Sequence, residues 1–142
     1  ALNLQNNQTV FDLGAGDGIV IFEAAKKAYQ QGLNTKFIAV EINPILILIL
    51  HLRRLFNPNK NNIKVVLDDM FKMNYSVIAS KYNIVFYLYI SPWFIEKTLK
   101  NIQKQSASWR TKFKVVSYMY PVKSLRKKER IIEGKNKLFL YS

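Results

Sequence analysis

The chain has no cysteine, one histidine, four prolines and five glycines among its 142 residues. Without cysteine there is neither a disulfide nor a thiolate metal site, which fits a reducing compartment, and a cytoplasmic location is expected. Long apolar runs are missing as well. The runs at 45–50, with Leu52 beyond, and 84–90 fall far short of the ~20 residues that a membrane span requires. No basic, apolar and small-residue succession opens the chain as a secretory signal would. Negative charge is scarce: nine Asp and Glu stand against 22 Lys and Arg, a net charge of +13. Apolar residues are not scarce. Their 49% share and the length predict one ordered domain over residues 1–142.

The charge is unevenly placed. Residues 1–70 hold seven basic and six acidic side chains, whereas residues 71–142 hold fifteen and three. A basic half invites an acidic partner: nucleic acid, an anionic membrane surface or an acidic protein. The plainer alternative is a solvated lysine face. Seventeen of the basic residues are lysine, and Asn and Ile are abundant, as an AT-rich coding sequence would give.

Hydrophobic pattern and punctuation predict an alternation of strands and helices. Residues 9–13 (TVFDL) form a strand that ends in the glycine cluster at 14–18, and a helix follows over 19–31 with Gly32 closing it. A second strand covers 36–41. Asn43 is a suitable N-cap and Pro44 suits the first helical position, so a helix runs from there to about Phe56. Strands at 63–67, 83–90 and 112–118, a helix from Pro92 to about Lys104, and a closing antiparallel pair at 129–132 and 137–141 complete the chain. This is an α/β sheet, mostly parallel, with seven strands, an antiparallel C-terminal hairpin and helices on both faces.

In such sheets, ligands bind beyond the carboxyl ends of the strands, where the strand order reverses. Three signals fall at three successive strand ends here. The first is Asp12-Leu13-Gly14-Ala15-Gly16-Asp17-Gly18, whose glycines let the backbone turn and approach a ligand closely. Its third glycine comes one residue too early for a dinucleotide fingerprint. The carboxylates of Asp12 and Asp17 repel a pyrophosphate and suit a cationic ligand, which disfavours a nicotinamide dehydrogenase. The second is Glu41, able to accept from both hydroxyls of a ribose; a helix-start charge is the alternative. The third is Asp69, or its neighbour Asp68, an acceptor for an adenine amine or else a turn carboxylate. The order of the three points to a nucleoside-type cofactor, with no metal.

The segments DLGAGDG (12–18), AVEINP (39–44), DDMF (68–71), YNIVFYLYI (82–90) and KVVSYMYP (114–121) together resemble the class I S-adenosylmethionine-dependent methyltransferases, whose fold is Rossmann-like. More finely, AVEINP and VVSYMYP resemble the small archaeal protein-lysine methyltransferases and the enzymes that methylate the ATP synthase c-subunit and the adenine nucleotide translocase. The resemblance implies S-adenosylmethionine as cofactor, held by Asp12, Gly14, Ala15, Gly16, Asp17, Gly18, Glu41, Ile42, Asp69 and Tyr87. It implies a protein-lysine acceptor, with Tyr87, Tyr89 and Trp93 lining the acceptor channel; buried core aromatics are the alternative for the two tyrosines. Peripheral contact with a membrane is also implied, because such relatives modify membrane proteins. Two departures stand out. Relatives carry a proline-containing segment upstream of the first strand that helps close the cleft, and this chain lacks it; and Ile19 stands where they often have arginine.

Two other readings compete. Ser91-Pro92-Trp93 is similar to the [DNS]-P-P-[YFW] motif of amino-methylating nucleic-acid enzymes, without its second proline, and the basic half would suit phosphates. A cofactor-binding module without catalysis is the other.

Overall fold

The computed structural model describes residues 3–77, 83–109 and 113–142. In chain order these form β1 (Thr9–Leu13), α1 (Ile19–Gln30), β2 (Lys36–Glu41), α2 (Pro44–Leu55), β3 (Ile63–Leu67), β4 (Ile84–Leu88), α3 (Pro92–Ser106), β5 (Phe113–Tyr118), β6 (Glu129–Ile132) and β7 (Leu138–Tyr141). Every residue of β1 and β4 is buried, which is why β4 is continuously apolar rather than alternating.

All seven strands join one sheet in the order β3-β2-β1-β4-β5-β7-β6. The first five are parallel; β7 runs antiparallel between β5 and β6. The chain therefore winds outward from β1 to β3, returns, and winds the other way from β4. The reversal lies between β1 and β4, where Asp12 pairs with Tyr87 and Leu13 with Leu88.

Successive residues of β1 serve opposite faces. Val10, with Phe37 and Val85, packs on α1 and α2 through Ile21, Phe22, Ala25, Ala28 and Leu50. Phe11 and Leu13, with Val40, Phe86 and Leu88, pack on α3 through Ile95, Leu99 and Ile102. Helices thus cover both faces, as expected. Asn43 caps α2 as its sequence position predicts, accepting from the Ile45 N–H at 2.9 Å.

Element ends differ where neighbours run out. The apolar pattern predicts a fourth strand over 83–90, but the strand leaves the sheet after Leu88. Its neighbours Leu13 and Ser117 are the last residues in register with it, so Tyr89 and Ile90 lean away over the ligand edge. Lys112, expected to open the fifth strand, lies outside the described residues. Helix α3 runs on to Ser106. Among the described residues no helix is long and apolar enough to cross a membrane.

Gly18 has φ +76°, and a Cβ there would lie 2.5 Å from Leu50 Cδ2 and 2.6 Å from the Phe22 ring, whereas one on Gly16 (φ +58°) meets nothing within 4 Å. Gly18→Ala is therefore expected to cost about 3 kcal/mol, from left-handed strain plus overpacking. Gly16→Ala should cost only about 1 kcal/mol, from the backbone strain alone. Urea midpoints of the two variants check the difference.

Candidate active site at the strand-order reversal

The glycine loop is tied to the end of β2 by backbone and side chain together. The N–H groups of Gly14 and Ala15 donate to the Val40 carbonyl at 2.9 and 3.0 Å. The Glu41 carboxylate then takes the next donor: its Oε2 accepts from Gly16 N–H at 2.9 Å. Its Oε1 accepts from Ile42 N–H at 2.9 Å and Asn43 N–H at 3.0 Å. Three bonds occupy a group with about four acceptor positions, so at least one remains for a ligand hydroxyl. Ile42, whose side chain is exposed, enters the site through this backbone contact.

Asp12 lies beneath the loop at 4% exposure. Burial first, and then the charges of Glu41 and Asp17, push its carboxyl from 3.8 up to about 7. The result is an anionic cleft in a strongly cationic chain. Tyr87, Asp12's partner across the sheet, is buried beside it. Its burial, followed by the charge of Asp12, raises its pKa and keeps the hydroxyl protonated. Asp17 is turned outward. One oxygen accepts from the Ile19 N–H at 3.2 Å, which caps the start of α1, and the other pairs with Arg53 at 3.5 Å. Its direct partners are thus protein groups, and its charge reaches the cleft through space.

The third strand end supplies a tight turn. Asp68 N–H donates to the Glu41 carbonyl at 3.1 Å, so the turn hangs from β2. Asp68 Oδ1 accepts from Asp69 N–H at 2.7 Å, and Asp69 Oδ1 from Phe71 N–H at 2.9 Å. Both carboxylates are half-buried and fold back on their own turn. The turn is latched to α3 by side chains that pattern reading passed over. Gln105 donates to the Met73 carbonyl at 2.8 Å, and Asn101 reaches the Met70 and Met73 carbonyls at 3.3 Å. The Tyr75 hydroxyl donates to the Met70 carbonyl at 2.6 Å. No sequence signal marks these amides, since helical Asn and Gln most often face solvent.

Of the three expected acceptor-channel aromatics, two come together. Tyr87 and Tyr89 line a groove of about 690 Å³ along α1, with Leu4, Val20, Ala24 and Tyr118 among its other walls. The Tyr89 and Tyr118 rings meet edge to face at 5.0 Å. Trp93 does not line this groove; it stands 86% exposed on the first turn of α3. The single histidine, His51, is exposed on α2.

No protein-family model matches the chain. A curated relative, the probable ribosomal RNA small subunit methyltransferase A of Methanosphaera stadtmanae, is 33% identical over 73 residues. That match covers 51% of this chain and spans 24% of the relative's length. An RNA methyltransferase from Salinibacter ruber, solved in complex with S-adenosyl-L-homocysteine, superposes with a TM-score of 0.76 at 18% identity, over 98% of this chain and 82% of its own. TrmK of M. capricolum, in complex with the natural cofactor product S-adenosylhomocysteine, gives a TM-score of 0.55 at 16% identity, over 97% of this chain and 62% of its own. Two of these three are named as RNA methyltransferases and none as a protein-lysine methyltransferase, so the finer resemblance in the motifs finds no support here. Strand order and superposition agree on the architecture: the chain has the class I methyltransferase fold.

Proposed function

We propose that the protein is an S-adenosylmethionine-dependent methyltransferase that acts on RNA. The observation that carries this reading is the anionic cleft at the strand-order reversal. There Asp12 is buried with its pKa near neutrality, Gly16 leaves open space, and Glu41 keeps acceptor capacity. A ligand with an ammonium, a sulfonium and a ribose fits that set of groups, whereas a pyrophosphate does not.

When bound, the cofactor supplies a methyl group on positively charged sulfur. Held by Asp12, Glu41 and the 14–18 loop, it would offer that methyl to an acceptor atom, with the acceptor's proton released to solvent. The chain's task is alignment and exclusion of water, effects that can together supply roughly 7–11 kcal/mol. On this reading Asp12 faces the cationic end, Glu41 takes the ribose hydroxyls, and Asp68 and Asp69 stand at the adenine end. The backbone of the 14–18 loop and of Ile42 packs along the ligand, and Tyr87 and Tyr89 border the methyl.

RNA is favoured over protein lysine as the acceptor by two findings. The curated relative and the S. ruber structure are named for RNA, and residues 71–142 carry fifteen basic against three acidic side chains. Incubation with labelled S-adenosylmethionine and separate pools of total RNA and total protein tests the acceptor. Label is expected in the RNA pool and removed by ribonuclease treatment; label in protein alone would return the lysine reading, and binding without any transfer the non-catalytic one.

Calorimetric titration tests the cofactor. S-adenosylmethionine and S-adenosylhomocysteine are expected to bind and NAD to stay silent. Glu41→Ala and Gly16→Val should each weaken binding about tenfold to a hundredfold, through missing charged hydrogen bonds and a filled cradle. Unchanged affinity in both variants would overturn the assignment.

Asp12 adds a dependence on pH. Its folded pKa is raised from 3.8 to about 7, so its stabilising contribution is complete below pH ~4 and fades as the pH rises through about 7. Relative to Asp12→Asn, the ligand-free protein should lose stability between about pH 4 and pH 7. A cationic ligand favours the ionised carboxylate, so affinity for S-adenosylmethionine should rise toward neutrality and level off above pH ~8. Thermal melts and titrations of both proteins across this range read the two slopes.

A further inference from the structure

Four residues of α3 recur at i, i+4, i+7 and i+11: Trp93, Lys97, Lys100 and Lys104. At 3.6 residues per turn this spacing keeps them within about 60° of one another, along roughly 16 Å of helix. All four are exposed. The opposite side of the same helix carries the buried Ile95, Thr98, Leu99 and Ile102, so the stripe is the face turned away from the sheet.

Its charge is uncompensated. The one ion pair among the described residues joins Arg53 to Asp17, on the other side of the sheet. Glu96, the single acidic residue of α3, is directed to the Ser124 N–H at 3.2 Å. The stripe's aromatic end is extended by Phe94 and Phe71, whose ring centroids lie 5.4 Å apart. The Lys97 ammonium sits 4.3 Å from the Phe71 centroid. An 86% exposed tryptophan beside unpaired lysines is costly to leave in water and complementary to one class of partner: a polyanion with flat, stackable rings. Helix α2 offers a contrast. Its exposed Ile45, Leu48, Leu52 and Leu55 are aliphatic and give a base nothing to stack on.

In sequence the stripe begins just after a residue that touches the glycine loop. The Ile90 side chain lies against Gly14, 2.9 Å from where a Cβ would stand, and Trp93 follows three residues later. We propose that Trp93, Lys97, Lys100 and Lys104 form a track for a single-stranded RNA segment, with an unstacked base on Trp93 at the end that follows Ile90 and the backbone phosphates along the lysines. The proposal rests on RNA being the acceptor. A duplex is a poorer occupant, because its bases are already stacked and their faces are hidden.

The test is fluorescence anisotropy of the full chain with a labelled single-stranded RNA of about 12 nucleotides, over a series of salt concentrations and with S-adenosylhomocysteine present. Simultaneous Lys97→Gln, Lys100→Gln and Lys104→Gln should reduce the slope of log affinity against log salt by about 2, at ~0.7 for each phosphate no longer neutralised. Trp93→Ala should weaken binding about fivefold to a hundredfold at unchanged slope. Both variants should keep the affinity for S-adenosylhomocysteine within about twofold; Trp93→Ala should keep the wild-type melting temperature, and the triple variant should lose no more than a few degrees with the Lys97–Phe71 contact.

Wild-type binding to RNA with slope and affinity unmoved in the variants would overturn the track while leaving RNA as the acceptor. No RNA binding, together with methyl label entering protein, would remove both. Tighter binding to anionic lipid vesicles than to RNA, abolished in the same variants, would reassign the stripe to a membrane surface and overturn the proposal.

Discussion

One carboxylate holds the candidate active site together. Glu41 closes β2 and accepts from the backbone of Gly16, Ile42 and Asn43, so the loop after β1 and the entry to α2 are fastened to one side chain. With the Val40 carbonyl taking Gly14 and Ala15, every early N–H of the loop except that of Asp17 has a partner on β2 or in the loop itself. The left-handed angles at Gly14, Gly16 and Gly18 follow from this fastening, because the chain must reverse within five residues while keeping those bonds. Burial first, and then the same negative charge across the cleft, raise the carboxyl of Asp12 to about 7. Glu41 thus bears on both the geometry and the electrostatics of the site.

The two signs of charge are separated in space. Acidic groups collect at the reversal between β1 and β4, whereas lysines line the outer face of α3 and populate the C-terminal half. Such a separation lets one small domain present opposite potentials to a compact cation and a long polyanion without either competing for the other's surface. Focusing inside the cleft persists at physiological salt because its groups are buried; the field over α3 is screened within about 8 Å.

Much of the frame was legible in the residues. The strand ends carrying Asp12, Glu41 and Asp69 announced themselves because a glycine cluster, a strand run and a carboxylate recur in order, and each rests on local chemistry. The cap of α2 was legible for the same reason. What stayed hidden depends on distance along the chain. Nothing near Asp17 signals that Arg53 waits 36 residues away to turn it outward. Nor does anything local mark Asn57 and Asn59, just beyond α2, as the residues whose buried amides donate to the Phe22 and Ala25 carbonyls at 3.0 and 2.9 Å and clamp α1. Trp93 and the two tyrosines looked like one aromatic group because they are close in sequence. The end of the sheet at Leu88 separates them, sending the tyrosines toward α1 and the tryptophan to the far side.

The position of β7 bears on how the chain reaches this state. It pairs with β5 on one side and β6 on the other, so residues 138–141 fill a slot between strands made earlier. During synthesis β5 keeps an open edge until that late segment emerges from the ribosome, and β6 has no place in the sheet before then. An open apolar edge invites pairing with other chains in the meantime. Assembly of the sheet is therefore gated by its last strand, and the nascent chain's exposure to aggregation is set by how quickly four residues, Leu138–Tyr141, find their slot.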